Sequence, residues 1–262
     1  MGLGRLLALR FAKLGARVII WDLNEKLGDE TVNEIQAMGG KAWFYQMDVT
    51  DRAKVYKVGQ QMLDEHGSVD ILINNAGIVS GAPLVESPDA LIERTMNVNA
   101  LSHFWTIKAF LPSMVKRKKG HVVSIASAAG IFGCGGMVDY CASKSAAIGI
   151  MVSLRYELEM MNAENVHCTV VCPSFIKTGM FEGVTPPRLT SWLTPEFVAD
   201  QIVYAVRRNH WRVLLPSLLY VFELLLHLLP DWLARLLGRF TNVAHSMKTF
   251  TQTRPHAMLE NK

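Results

Sequence analysis

The sequence predicts an α/β fold: a doubly wound parallel sheet covered by helices on both faces, in three layers. Two observations carry this. Strand and helix signals alternate from one end of the chain to the other. The 262 residues suit one large domain with a substantial core, and no repeat, low-complexity tract or linker marks a second one.

The elements follow in order. A helix over 2–14 opens the chain and is ended by Gly15. An apolar strand over 17–21 is closed by Asp22, and a helix over 24–38 stops at Gly39-Gly40. A strand over 42–46 leads to Asp48, and Thr50 is a candidate cap for a helix running to His66. The strand over 69–73 reads as buried and ends in Asn74-Asn75-Ala76-Gly77. A long helix over about 89–115, with Pro112 near its end, precedes a strand over 121–125. Tyr140 lies near the start of another long helix. A strand over 166–171, a helix over 195–208 and a short strand over 211–215 complete the pattern.

The tail differs. VLLPSLLYVFELLLHLL, residues 213–229, is greasy but interrupted by Pro216 and Glu223, and Pro230 stops it. That is too short and too broken for a spanning helix. It suits a segment lying in a membrane interface or lining a hydrophobic substrate mouth, with packing against a partner subunit an equal alternative. We therefore divide the chain into a catalytic part, 1–212, and a hydrophobic extension of the same domain, 213–262.

Half the residues are hydrophobic and 19% are charged, an apolar balance for an enzyme away from lipid. The net charge of +4 suits an anionic cofactor or a membrane surface and proves neither. No basic run is interleaved with aromatics, which argues against a nucleic-acid partner. Lys116 to Lys119 reads as a solvated helix end. The cysteines Cys134, Cys141, Cys168 and Cys172 form no C-x-x-C pair and have no His or acidic partners at metal spacing, so no metal site is expected. Cys168 and Cys172 read as reduced core thiols, which suits a cytosol-facing protein.

Tyr140 and Lys144 are one helical turn apart on one face. An ammonium beside a phenol favours the phenolate and lowers its pKa, so the phenol can exchange a proton while a hydride moves nearby. Chance supplies such pairs often, and only company makes one specific. Asn74 to Gly77 follow a buried strand, where a doubly wound sheet binds its ligand and small residues let a flat cofactor approach the backbone. Asp48 can accept from an adenine amino group or simply cap a helix.

With these residues in place, the chain resembles the short-chain dehydrogenase/reductase family, whose fold is of Rossmann type. Asn74 to Gly77, Asn99, Ser127, Tyr140 and Lys144 occur in the family's order, and Ser127 precedes Tyr140 by its usual offset. No other tyrosine here has a lysine four residues later. The segments 103–112 and 172–181 are narrower, resembling the branch of epidermal-type retinol dehydrogenases and lipid-droplet 17β-hydroxysteroid dehydrogenases. The likeness runs from Gly2 to about Met247.

The resemblance implies roles. Tyr140 is the acid/base, Lys144 tunes it and binds the nicotinamide ribose, Ser127 bonds the substrate oxygen, and Asn99 holds a water beside Lys144. Taken singly, Ser127 is an ordinary strand-end hydroxyl and Asn99 a mid-helix polar group. The cofactor would be held by Gly2, Leu3, Gly4, Asp22, Asp48, Val49, Asn75, Ala76, Gly77, Tyr140, Lys144, Pro173, Ile176 and Thr178, although Ser174 replaces the commoner glycine. Asp22, at the position that meets the adenosine ribose, accepts from a 2′-hydroxyl and repels a 2′-phosphate, favouring NAD over NADP. It can also cap the following helix, and Arg5 is a cation able to approach a 2′-phosphate.

One departure matters. The family's Gly-x-x-x-Gly-x-Gly loop is represented only by Gly2 and Gly4, and the strand before it is missing. Its loss would leave a neighbouring strand edge unpaired and remove backbone groups that cradle the pyrophosphate. An N-terminally truncated form of a longer enzyme is the resulting expectation.

The functional expectation is an NAD-dependent oxidoreductase of a lipophilic alcohol, first all-trans-retinol to retinal, second a 17β-hydroxysteroid. It would work at an endoplasmic reticulum membrane or lipid droplet, facing the cytosol, with a homodimer possible. A different reading is a catalytically impaired lipid-surface or dimerisation protein.

Overall fold

The computed structural model describes residues 2–250 of the chain; the last twelve positions of the extension lie outside the described residues. Gly2, with φ +94°, turns the chain into helix α1 (Leu3–Lys13). Leu3, Leu7 and Phe11 bury one side of α1 against Val198 and Ile202 of α8 (Pro195–Arg207), while Leu9 and Ala12 meet Val32 and Ile35 of α2 (Glu25–Ala37). A helix contacted on two sides this way reads as a 3.6-residue apolar pattern wider than one stripe.

All strand pairs are parallel, as the crossover helices demand. Strand β1 (Arg17–Asp22) pairs with β2 (Lys41–Gln46) in a two-stranded sheet. A second sheet has the order β3 (Ile71–Asn74), β4 (Gly120–Ile125), β5 (Val166–Pro173), β6 (Arg212–Leu215). Among the described residues β1 and β3 pair with no common strand, so the open edge expected from the sequence is present. Trp21 of β1 lies 5.7 Å, centroid to centroid, from Phe110 of α5 (Ser102–Arg117). β4 and β5 are buried along almost their whole length, with Val122, Val123, Val170 and Val171 fully enclosed. They pack against α7 (Val138–Met160) through Ala147, Met151, Leu154 and Leu158.

Several details differ from the sequence expectation. The helix expected over 89–115 is α4 (Asp89–Met96) and α5, joined by a π-helical turn, Asn97–Leu101. One wide turn re-aims the side chains that follow, and it buries Asn99 completely. Asp51, not Thr50, caps α3 (Arg52–His66), its carboxylate accepting from the Lys54 amide at 3.0 Å. The greasy tail is three elements. Residues 213–215 finish β6, α9 covers Leu218–Leu228, and α10 (Asp231–Thr241) follows Pro230. No helix among the described residues is long and apolar enough to cross a membrane. Cys168 and Cys172 are buried free thiols of β5, while Cys134 and Cys141 are half-buried.

Candidate active site

The site forms where β3, β4 and β5 end, the carboxyl edge at which a doubly wound sheet presents its loops. α7 begins beside it, so Tyr140 and Lys144 enter from the first two turns of one helix. Both are buried, at 5% and 4% exposure. The Lys144 ammonium donates to the Ile125 carbonyl at 2.9 Å and stands 5.8 Å from the centre of the Tyr140 ring.

Burial favours the neutral form of each group. It pushes the Tyr140 phenol up to about 12, with a hydrogen bond from Ser127 pulling the other way. It pushes the Lys144 ammonium down to about 8, against the opposing influence of Cys172. The lowered phenol pKa expected from the pair is therefore not found in the protein alone. Removing the phenolate from water costs more than the Ser127 hydrogen bond returns, and at pH 7 Tyr140 keeps its proton. Ser127 sits after β4, its hydroxyl accepting from the Ala129 amide at 3.1 Å and donating to the Pro173 carbonyl at 3.4 Å.

Asn99 braces the opposite wall. Its carboxamide oxygen accepts from the Ile78 amide at 2.8 Å, and its amide donates to the Ile78 carbonyl at 2.9 Å and to Ser143 Oγ at 3.0 Å. It thus ties the loop after Gly77 to α7, one residue from Lys144. Ser80 and Asp139, which no motif singled out, add a second tie of 2.6 Å between the same loop and α7. His103 was also passed over. It is buried, with Nδ1 3.2 Å from Ser124 Oγ and Nε2 without a partner, and burial helped by the Lys144 charge pushes its pKa down to about 3.

Gly2, Gly4, Asn75, Gly77 and Thr178 come together although the sequence spreads them over three loops. A Cβ on Gly4 would stand 2.8 Å from Asn75 Nδ2, one on Gly77 would stand 3.3 Å from Lys144 Nζ, and one on Gly2 would meet Thr178 at 4.0 Å. Leu3 is buried beneath them, Ala76 is exposed, and Val49 is half-buried. Pro173 ends β5, and Ile176 is held by a one-residue bridge to Leu193, with the Thr178 amide donating to the Ile176 carbonyl at 2.8 Å. Ser174 Oγ is buried and unpartnered.

Two acids are placed differently from each other. Asp22 is exposed at the end of β1 and, among the described residues, accepts only a local bond, from the Asn24 amide at 2.9 Å. Asn24 itself caps α2. Asp48 is engaged: it accepts from the amide and hydroxyl of Thr50 at 2.9 and 2.7 Å and pairs with Arg94 at 3.3 Å. Those bonds outweigh desolvation and hold its carboxyl below the usual range. Arg5 is paired with Glu34 of α2 rather than free beside Asp22.

A cavity of about 220 Å³, open to solvent, leads away from Ser127 and Tyr140. Its walls are apolar: Phe132 and Met137 before α7, Phe175 and Phe181 after β5, and Leu219, Phe222, Leu226 and Leu237 from α9 and α10. The abundance of Leu, Met and Phe in the sequence was consistent with such a mouth, but no period in it marks which of them converge.

The profile of the family described as short chain dehydrogenase matches residues 1–188. The chain belongs to that family. Across its full length this short-chain dehydrogenase is 40% identical to the bovine (Bos taurus) protein named short-chain dehydrogenase/reductase family 16C member 6, of which 84% is covered. It is 41% identical over 95% of its length to human (Homo sapiens) epidermal retinol dehydrogenase 2, 82% of which is covered. It is 36% identical over its whole length to zebrafish (Danio rerio) retinol dehydrogenase 10-A, with 85% of that protein covered. Among solved structures, a short-chain dehydrogenase/reductase from Burkholderia phymatum in complex with NAD matches with a TM-score of 0.78 and 26% identity, covering 86% of this chain and 89% of that one. A metagenomic short-chain oxidoreductase in complex with NADP gives 0.70 and 26%, covering 82% and 90%. The branch resemblance seen in the sequence therefore stands, and this short-chain dehydrogenase is an oxidoreductase using a nicotinamide cofactor.

Its residues fit such a cofactor. Gly4 and Gly77 leave space that a side chain would fill, directly beside Asn75 and Lys144. An exposed carboxylate, Asp22, stands at the end of β1, and Ser174 offers an unpartnered hydroxyl next to Pro173.

Proposed function

We propose that the chain oxidises a lipophilic alcohol, all-trans-retinol to retinal, with NAD as the cofactor. The observation that carries this is the joining of one buried phenol–ammonium pair to one apolar cavity. Retinol is preferred because two of the relatives described above are named retinol dehydrogenases. NAD is preferred because Asp22 is an exposed acid, and because Arg5 is taken up by Glu34.

When bound, the nicotinamide supplies the hydride acceptor. The protein does the rest. Ser127 donates to the substrate oxygen and fixes it beside the Tyr140 hydroxyl. For oxidation Tyr140 first releases its own proton to solvent through the open cavity; the phenolate then takes the hydroxyl proton as the hydride leaves carbon, and in the reverse direction the phenol donates it. Lys144 offsets the phenolate charge while that step lasts. Phe132, Phe175 and Phe181 exclude water from the reacting carbon, which strengthens each of these interactions. Gly2 to Gly4, Asp22, Asp48, Val49, Asn75 to Gly77, Pro173, Ile176 and Thr178 hold the dinucleotide. We place this activity at an endoplasmic reticulum membrane or lipid droplet, facing the cytosol.

The test is turnover of all-trans-retinol, a 17β-hydroxysteroid and a short water-soluble secondary alcohol, each with NAD and with NADP. Retinal formation favouring NAD is expected. Steroid oxidation without retinal formation would transfer the reading to the hydroxysteroid. Failure of NADH to bind at millimolar concentration would replace it with a non-catalytic lipid-surface protein.

A further inference from the structure

Helices α9 and α10 are apolar on two opposite sides. Leu219, Phe222 and Leu226 of α9, with Ala234 and Leu237 of α10, recur at three- and four-residue spacing and line the catalytic cavity. The other side of each helix is out of the fold. On α9, Val221, Leu224 and Leu228 are 52%, 60% and 71% exposed; on α10, Trp232, Leu236 and Phe240 are 67%, 54% and 53% exposed. α9 is apolar nearly all round, and such a helix is normally buried all round, whereas α10 adds Asp231, Arg235 and Arg239 beside its outer apolar residues. Six large side chains in two successive helices also exceed the scattered apolar residues of an ordinary surface.

Charge identifies what covers this face. The only charged residue within α9 is Glu223, and it is turned inward onto Arg212 of β6 at 2.6 Å. Asp231, the only acid of α10, is paired with Arg235. Arg188 at the cavity rim and Arg239 on α10 have no acidic partner among the described residues. An apolar face edged by unpaired cations suits a phospholipid surface, where leucines and tryptophan sink to the acyl boundary and arginines meet phosphates. A two-fold contact with a second copy would instead gather the same arginines in one interface.

We propose that the outer face of α9 and α10 docks on a phospholipid surface, so that the substrate passes between these helices from lipid into the cavity. The inference rests on the lipophilic substrate class proposed above and adds the surface and the route. One pair of helices then serves as the wall of the site and as its contact with lipid, and an apolar substrate avoids the desolvation step of crossing water.

The experiment is flotation of the full chain with phosphatidylcholine vesicles holding 20% phosphatidylserine, beside L228E, L236E and the double variant. These positions are exposed and outside the catalytic machinery, so folding and turnover of a water-soluble secondary alcohol should be unchanged. Wild type should float, and the double variant should lose at least tenfold in vesicle affinity. Turnover of a vesicle-partitioned long-chain alcohol should fall by a similar factor. L226E, on the cavity side, should still float while losing turnover of the long-chain alcohol. Wild type that fails to float overturns the proposal. So does a dimer that L228E converts to monomer without altering flotation. Absence of turnover on every alcohol would remove the catalytic reading, and flotation would still decide the docking surface.

Discussion

Lys144 holds its ammonium 5.8 Å from the centre of the Tyr140 ring and 2.9 Å from the Ile125 carbonyl, and both side chains are buried. The two pKa values move apart, Lys144 down to about 8 and Tyr140 up to about 12, because burial penalises both charged forms. At neutral pH the pair therefore rests as phenol and ammonium. In the mechanism proposed above, that state donates a proton to a carbonyl, and oxidation passes through the phenolate.

Tyr140→Phe removes the proton carrier and leaves the ring in its apolar cluster. Turnover should fall by about 10²–10⁴-fold, the usual worth of a positioned acid/base. Cofactor quenching of intrinsic fluorescence should be nearly unchanged. Residual turnover close to wild type would remove Tyr140 from the mechanism.

Lys144→Met should abolish turnover and yet preserve or raise the stability of the protein alone. The folded pKa of Lys144 lies below its usual 10.5, so the folded chain disfavours the proton. That penalty is present below pH 8 and is relieved as pH rises towards 10.5. It amounts to about 3 kcal/mol, offset in part by the lost bond to Ile125 at about 1 kcal/mol. Thermal unfolding from pH 7 to 10 should rise for wild type and stay flatter for the variant. A melting point several degrees lower at pH 7 would contradict this account.

Asp22→Arg exchanges an exposed acid for a base at the end of β1. The side chain makes one local bond, to Asn24, so the fold should tolerate the change. The ratio of kcat/KM with NAD to that with NADP should fall by at least tenfold. An unaltered ratio would show that Asp22 does not face the ribose.

Acid should destabilise the chain through two buried histidines. Burial pushes His103 down to about 3 and His121 down to about 4, the latter also through His167. Unfolding lets both bind protons near the ordinary 6.5, so their contribution is complete above that pH and declines as pH falls towards 4. Each contributes at most about 1.4 kcal/mol per pH unit. His121→Gln can keep a bond to Thr169, 2.7 Å from Nε2, without taking up a proton. Urea midpoints at pH 7 and 5 should lie closer together in that variant than in wild type.

Sequence by itself determined the order of elements and the family, and singled out the residues proposed as the acid/base centre, because each is written in local signals. Glycine stops, apolar runs and a Tyr–Lys pair one turn apart need no knowledge of distant residues. Only the tertiary structure decided the rest. Burial reversed the expected direction of the Tyr140 pKa, since desolvation depends on everything packed around the ring. A π turn brought Asn99 to Ile78, and side-chain competition gave Asp48 to Thr50 and Arg94 while leaving Asp22 in solvent. The greasy tail showed the same division. Its composition announced contact with something apolar, but its division between cavity and surface required two helices with their inner faces already occupied. Such facts arise from convergence of segments far apart in the chain, and a linear pattern carries no record of which segments meet.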